Sequence, residues 1–79
     1  MKALIVSDEP VKRAALGQAM ESIGWSSMEA AGPTRAMEVA RSDPPTVVVS
    51  DVFMPGVDGG AYCRSWKLDG TLAEIPFLF

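Results

Sequence analysis

Two short apolar runs, Ala-Leu-Ile-Val at 3–6 and Thr-Val-Val-Val at 46–49, are each followed directly by Ser-Asp. A run of this length, rich in branched residues and without polar alternation, predicts a strand covered on both faces, as in a parallel sheet. Buried parallel strands need helices to cover them and to carry the chain from one strand end to the next strand start. The fold is thereby confined to an α/β architecture. In such sheets ligands sit beyond the carboxyl ends of the strands, where Ser7, Asp8, Glu9 and Asp51 stand.

The intervening segments supply the helices. Pro10 suits a first helical turn, and Leu16, Ala19, Met20 and Ile23 recur at helical spacing until Gly24 stops them. Trp25 to Ala30 is short and partly polar, as an edge strand would be. Gly32-Pro33 then opens a second helix with Ala36, Met37 and Ala40 on one face, ended by Ser-Asp-Pro-Pro at 42–45. Gly59 and Gly60 lead into a third helix, whose start they weaken, with Tyr62, Cys63 and Trp66 inward. The turn Leu-Asp-Gly-Thr at 68–71 and a last apolar piece at 75–79 complete a β-α-β-α-β-α-β order. Cys63, Trp25 and Trp66 read as packing residues.

Composition removes whole classes of function. Seventy-nine residues, 48% hydrophobic, make one small domain of marginal stability. Ten acids against seven bases, a net charge of −3, leave no basic cluster to follow a phosphate backbone, so no direct nucleic-acid partner is expected of this segment. The single cysteine excludes an internal disulfide and a multi-cysteine zinc site, and fits a reducing compartment. The apolar start is too short for a signal-peptide core or a membrane span, so a cytoplasmic chain without membrane contact is expected. The chain has no histidine, which removes Ser-His-Asp triads, Cys-His dyads and His-ligated metals together. Chemistry must run on carboxylates, hydroxyls, lysines or the thiol.

Asp8 and Glu9 follow the first strand and Asp51 follows the strand expected beside it, so their carboxylates converge at the sheet edge. Like charges crowded together raise one another's pKa unless a cation neutralises them. Magnesium is the natural partner, being hard and usually held by one or two carboxylates plus waters and phosphate. A carboxylate beside it can attack phosphorus to give an aspartyl-phosphate. Taken singly, Asp8 and Glu9 would be a solvated helix N-terminus and Asp51 a turn or capping residue. Their convergence favours a site.

The stretches "ALIVSDEP", "VVVSDVFMPGVDG" and "IPFLF" resemble successive blocks of the response-regulator receiver domain of two-component signalling, in register along the whole chain. The resemblance implies a flavodoxin-like (CheY-like) doubly wound parallel sheet of order 2-1-3-4(-5). Residues 1–79 would be its N-terminal β-α-β-α-β-α-β portion, with the fifth strand and last helices absent from this chain. It makes Asp51 the phosphoacceptor. Asp8, Asp51 and the backbone carbonyl of Phe53 would hold Mg2+, Ser7 and Glu9 would line the acidic pocket, and Met54, Pro55 and Gly56 would shape the loop. A histidine kinase or phosphotransfer protein would donate the phosphoryl group, and the chain would not be a conventional turnover enzyme.

The sequence also departs from the family. Ser7 occupies the first of the two usual acidic positions, so weaker magnesium binding with phosphorylation retained is expected. The Thr or Ser that follows the fourth strand and the distal lysine are not among these residues; Lys67 lies in the third helix and reads as solvated surface. Gly60 stands where receivers often carry a large apolar residue. The apolar C-terminal strand would be an open edge, so the chain reads as a fragment, with a homo-oligomer or strand-swapped dimer as a further expectation. Two other functions are carried alongside. One is a docking or oligomerisation module that is not phosphorylated, favoured by Ser7 and the missing distal residues. The other, ranked last, is an aspartyl-nucleophile phosphohydrolase, which would need an acid where Phe53 stands.

Overall fold

The computed structural model describes residues 1–51, 54, 56 and 58–78. In chain order the elements are β1 (Lys2–Val6), α1 (Pro10–Ser22), β2 (Ser26–Ala30), α2 (Pro33–Ser42), β3 (Val47–Ser50), α3 (Gly59–Leu68) and β4 (Phe77–Leu78). They form one sheet of order β2-β1-β3-β4, parallel throughout, as the alternation of runs predicts. The crossover from β1 to β2 and the return across β1 to β3 run in opposite directions. With right-handed connections, α1 therefore lies on one face of the sheet and α2 and α3 on the other.

The main core lies on the α2–α3 face, where Leu4, Val6 and Val48 meet Ala36, Ala40, Tyr62, Trp66 and Leu72. Ala3 and Ile5 point to the α1 face and are equally buried because β1 is central. β3 differs from expectation. Val48 is buried but Val47 and Val49 are only half-buried, so full cover is confined to the α2–α3 side. The reason is width: a helix about 10 Å across spans about two strands spaced ~4.8 Å apart, and one helix cannot roof the whole α1 face.

α1 presents only part of the expected stripe. Ile23 is 66% exposed and Ala19 is exposed, whereas Arg13, Leu16, Gly17 and Met20 turn inward. Gly17 is the fully buried residue of the helix. A Cβ there would stand 3.3 Å from Ser27 Oγ on β2, so the helix approaches the sheet most closely where it has no side chain. Gly24, at φ 87°, ends the helix as expected. Its N–H bonds to the Glu21 carbonyl at 3.0 Å and that of Trp25 to the Met20 carbonyl at 3.1 Å, the paired bonds of a Schellman motif.

α3 starts on two glycines, and the weakness this implies is offset by Asp58, whose Oδ1 accepts from Gly60 N–H at 2.9 Å and Ala61 N–H at 3.2 Å. Cys63 is half-buried, not inward with Tyr62 and Trp66. Tyr62 and Trp66 are one helical turn apart, and residue 63 points about 100° away from Tyr62. Cys63 lines an apolar cleft of about 200 Å³ with Trp66, Lys67 and Phe77.

The turn after α3 is tied to α2. Asp69 accepts from Thr71 N–H at 2.9 Å and Leu72 N–H at 3.3 Å, and Arg41 Nη2 reaches Asp69 Oδ2 at 2.7 Å. The Arg41 hydrogen bond is the main reason the Asp69 carboxyl is held below its usual value of 3.8. A depressed folded-state pKa contributes stability above the unfolded-state value, lost as pH falls through the folded one. Asp69→Asn is therefore expected to lower the urea midpoint at neutral pH, with the difference from the parent closing below about pH 4. A constant difference down to pH 2.5 would show that Asp69 acts only as a turn residue. Among the described residues no helix is long and apolar enough to cross a membrane.

Candidate functional site

The register of β1 against β3 builds the site. Val6 pairs with Ser50, and Asp51 N–H donates to the Val6 carbonyl at 2.8 Å, so Ser7 and Asp51 leave the sheet side by side. Val6 and Ser50 face the α2–α3 core, and strand alternation turns the next pair to the α1 face. Ser7 is fully buried. Its hydroxyl lies 3.3 Å from Asp51 Oδ2 and accepts from Glu9 N–H at 3.2 Å, which turns the chain into α1.

Asp51 is the shielded acid of the group, its side chain 7% exposed, while Asp8 and Glu9 are exposed. One carboxylate oxygen from each of Asp8, Glu9 and Asp51 lies within 4.8 Å of the other two. The convergence expected from the sequence is thus present. Three hard oxygen donors at this spacing, with no thiolate or imidazole, fit an oxygen-seeking divalent cation such as Mg2+ and not a soft metal. Of the residues expected to shape the adjoining loop, Met54 is buried in the main core and Gly56 takes a positive φ of 77°, a conformation glycine adopts without strain. Phe53 and Pro55 lie outside the described residues.

Two basic residues of α1 complete the surroundings and are not evident from the sequence motifs. Lys12 Nζ stands 3.1 Å from Asp51 Oδ2 and 4.0 Å from Glu9 Oε2. Arg13 donates from Nη1 to the Ser7 carbonyl at 2.8 Å and from Nε to Glu29 Oε1 at 3.2 Å, fixing the end of β1 against β2. The signal that could have found them is Pro10 at the first helical position, which brings residues 12 and 13 back over the strand ends. Below the site, Ser50 donates to the Asp51 carbonyl at 3.2 Å. Burial pushes the phenol of Tyr62 up, an effect the nearby Ser50 hydroxyl partly opposes. Lys67 is exposed on α3, as expected of a surface residue.

Comparison with known proteins identifies the family. The family described as "Response regulator receiver domain" matches residues 3–78. The chain is 33% identical to the response regulator MprA of Mycobacterium tuberculosis, over 99% of its own length and 33% of that protein's. It is 30% identical to the gliding motility regulatory protein of Myxococcus xanthus, over 99% of this chain and 10% of that protein. It therefore spans a third or less of the length of these curated relatives. Among solved structures, a response regulator receiver protein's N-terminal domain from Methanoculleus marisnigri superposes with a TM-score of 0.89 at 25% identity, over 96% of this chain and 62% of that one. The receiver domain of a signal transduction histidine kinase from Syntrophus aciditrophicus does so with a TM-score of 0.86 at 32% identity, over 96% and 58%. The parallel sheet of order 2-1-3-4 with its three helices is the CheY-like, flavodoxin-like fold of these neighbours. With the family matched along nearly the whole chain and its acids gathered at the carboxyl ends of β1 and β3, the chain belongs to the response regulator receiver domain family, the signalling module of two-component systems.

Proposed function

We propose that Asp51 accepts a phosphoryl group from a histidine kinase or phosphotransfer protein, with Mg2+ held by Asp8 and Asp51. The observation that carries this reading is the gathering of the Asp8, Glu9 and Asp51 carboxylates within 4.8 Å around an Asp51 side chain that is itself almost fully shielded. An Asp51 carboxylate oxygen attacks the phosphorus of a phosphohistidine. The P–O bond forms as the P–N bond breaks, and the histidine leaves with the partner, since this chain has none. Mg2+, when held by Asp8 and Asp51, would supply neutralising charge to the phosphoryl oxygens. Ser7 holds Asp51 Oδ2 by its hydroxyl, and Arg13 fixes the Ser7 carbonyl. The product carries added negative charge at the sheet edge, which biases a two-state element of the surrounding domain. The chain is a stoichiometric acceptor in the cytoplasm, not a turnover enzyme.

The test is intact-mass measurement of the whole protein after incubation with Mg2+ and a small-molecule phosphodonor. One added phosphoryl group, prevented by a chelator, is the expected result. No adduct would leave a docking module, and turnover of many equivalents would favour a hydrolase. The buried Ser7 sits where a second acid would lie against Asp51. Ser7→Asp is accordingly expected to tighten Mg2+ binding on the order of tenfold by calorimetry; an unchanged affinity would show that the serine is not what limits the metal.

A further inference from the structure

We propose that Lys12 is a tethered counter-cation of Asp51, which competes with a divalent cation for that carboxylate and so sets how much metal the site needs. The inference rests on the reading of Asp51 as phosphoacceptor. Its first support is geometric. The Lys12 ammonium is 3.1 Å from Asp51 Oδ2, the same oxygen that faces the Ser7 hydroxyl, and 4.0 Å from Glu9 Oε2. Two of the three carboxylates that converge on the metal position are therefore within its reach.

The second support is where the lysine sits. It lies in the first turn of α1, which begins at Pro10, and a cation there opposes the positive end of the helix dipole. The contact with Asp51 offsets that unfavourable placement. The third is the asymmetry of burial. The lysine side chain is 51% exposed and its aspartate partner 7%, so a flexible stem anchored in solvent carries a charge onto a shielded carboxylate. Around a shielded group the field is screened less than on the open surface, and a unit positive charge there lowers the pull on any second cation. Lysine is suited to such sharing, because its three donors and four-carbon stem let it swing between acceptors, where a guanidinium would be held in a fixed fork. Lys12 is thus a positioning residue: it acts on metal and phosphoryl group through Asp51.

The experiment measures Mg2+ dissociation constants by isothermal titration calorimetry for the intact protein, Lys12→Gln and Lys12→Arg. In parallel, the side-chain carbon signal of Lys12 is followed by NMR during the Mg2+ titration. The neutral variant is expected to bind Mg2+ on the order of tenfold more tightly, the arginine variant no more tightly than the parent, and the Lys12 signal to move with the same midpoint as binding. Equal Mg2+ affinities in parent and glutamine variant, or a Lys12 signal indifferent to Mg2+, would overturn this inference alone. No Mg2+ binding by any of the proteins, with no phosphoryl adduct on the parent, would overturn the phosphoacceptor reading and this inference with it.

Discussion

Asp51→Asn is expected to abolish phosphoryl uptake, so that the added mass seen in the parent falls below detection with the same donor and Mg2+. The effect should be complete because the substitution removes the nucleophile itself. An amide oxygen is a poor nucleophile toward phosphorus and a weak magnesium ligand, so both chemical roles disappear in one change. The fold should survive. Asn has the same shape, its carbonyl can accept the Ser7 hydroxyl, and the backbone bond from residue 51 to the Val6 carbonyl is untouched. Circular dichroism and the urea midpoint should therefore stay close to those of the parent while the adduct is lost. A single phosphoryl group still present on the Asn variant would place the acceptor elsewhere, with Asp8 and Glu9 the next carboxylates to replace.

Trp66→Ala is expected to have the largest effect on stability, a loss of about 3–5 kcal/mol of unfolding free energy. Trp66 is 1% exposed and is the largest fully buried side chain of the core. Its ring meets Phe77 edge-on at 5.3 Å and Tyr62 at 6.5 Å, and Phe77 meets Tyr62 at 5.1 Å. This triangle joins β4 to α3, so truncation leaves a cavity beneath the short edge strand. A small domain has a total stability of roughly 5–15 kcal/mol and belongs at the low end of that range, so most of its margin would go. Trp66→Phe separates packing from polarity. The indole Nε1 is buried without a hydrogen-bond partner among the described residues, so the change sacrifices no such bond while keeping an aromatic ring against Tyr62 and Phe77. Its expected cost is smaller than that of the Ala variant, because most of the ring volume stays. A urea midpoint for the Ala variant equal to that of the parent would show that the triangle does not support the fold.

Much of the architecture was legible in local signals. The unbroken apolar runs marked β1 and β3, Gly24 and the prolines at 10 and 33 marked helix limits, and Ser-Asp after each run marked the strand ends where the candidate site lies. Where the structure departs from these expectations, the causes differ. Periodicity tells that a helix has an apolar side, but the rotation of that helix against the sheet depends on which residue allows closest approach. In α1 the fully buried position is Gly17, which carries no hydrophobic signal; Leu16 and Met20 of the expected stripe turn inward beside it, and Ala19 and Ile23 turn outward. On α3, Cys63 is half-buried because it lies about 100° around the helix from Tyr62, and on β3 one helix is too narrow to roof the whole α1 face.

The sequence by itself determined the order of the elements and the carboxylate that ends β3, because strand, turn and helix-stop preferences act over a few neighbouring residues. Tertiary structure alone decided which hydroxyl and which basic groups meet that carboxylate, and how far it is shielded. Residues 7 and 51 become neighbours only through the parallel register of β1 and β3, and Lys12 and Arg13 join them through the packing of α1 over the strand ends. Those contacts link residues far apart in the chain and depend on side-chain packing at angles that no local pattern encodes.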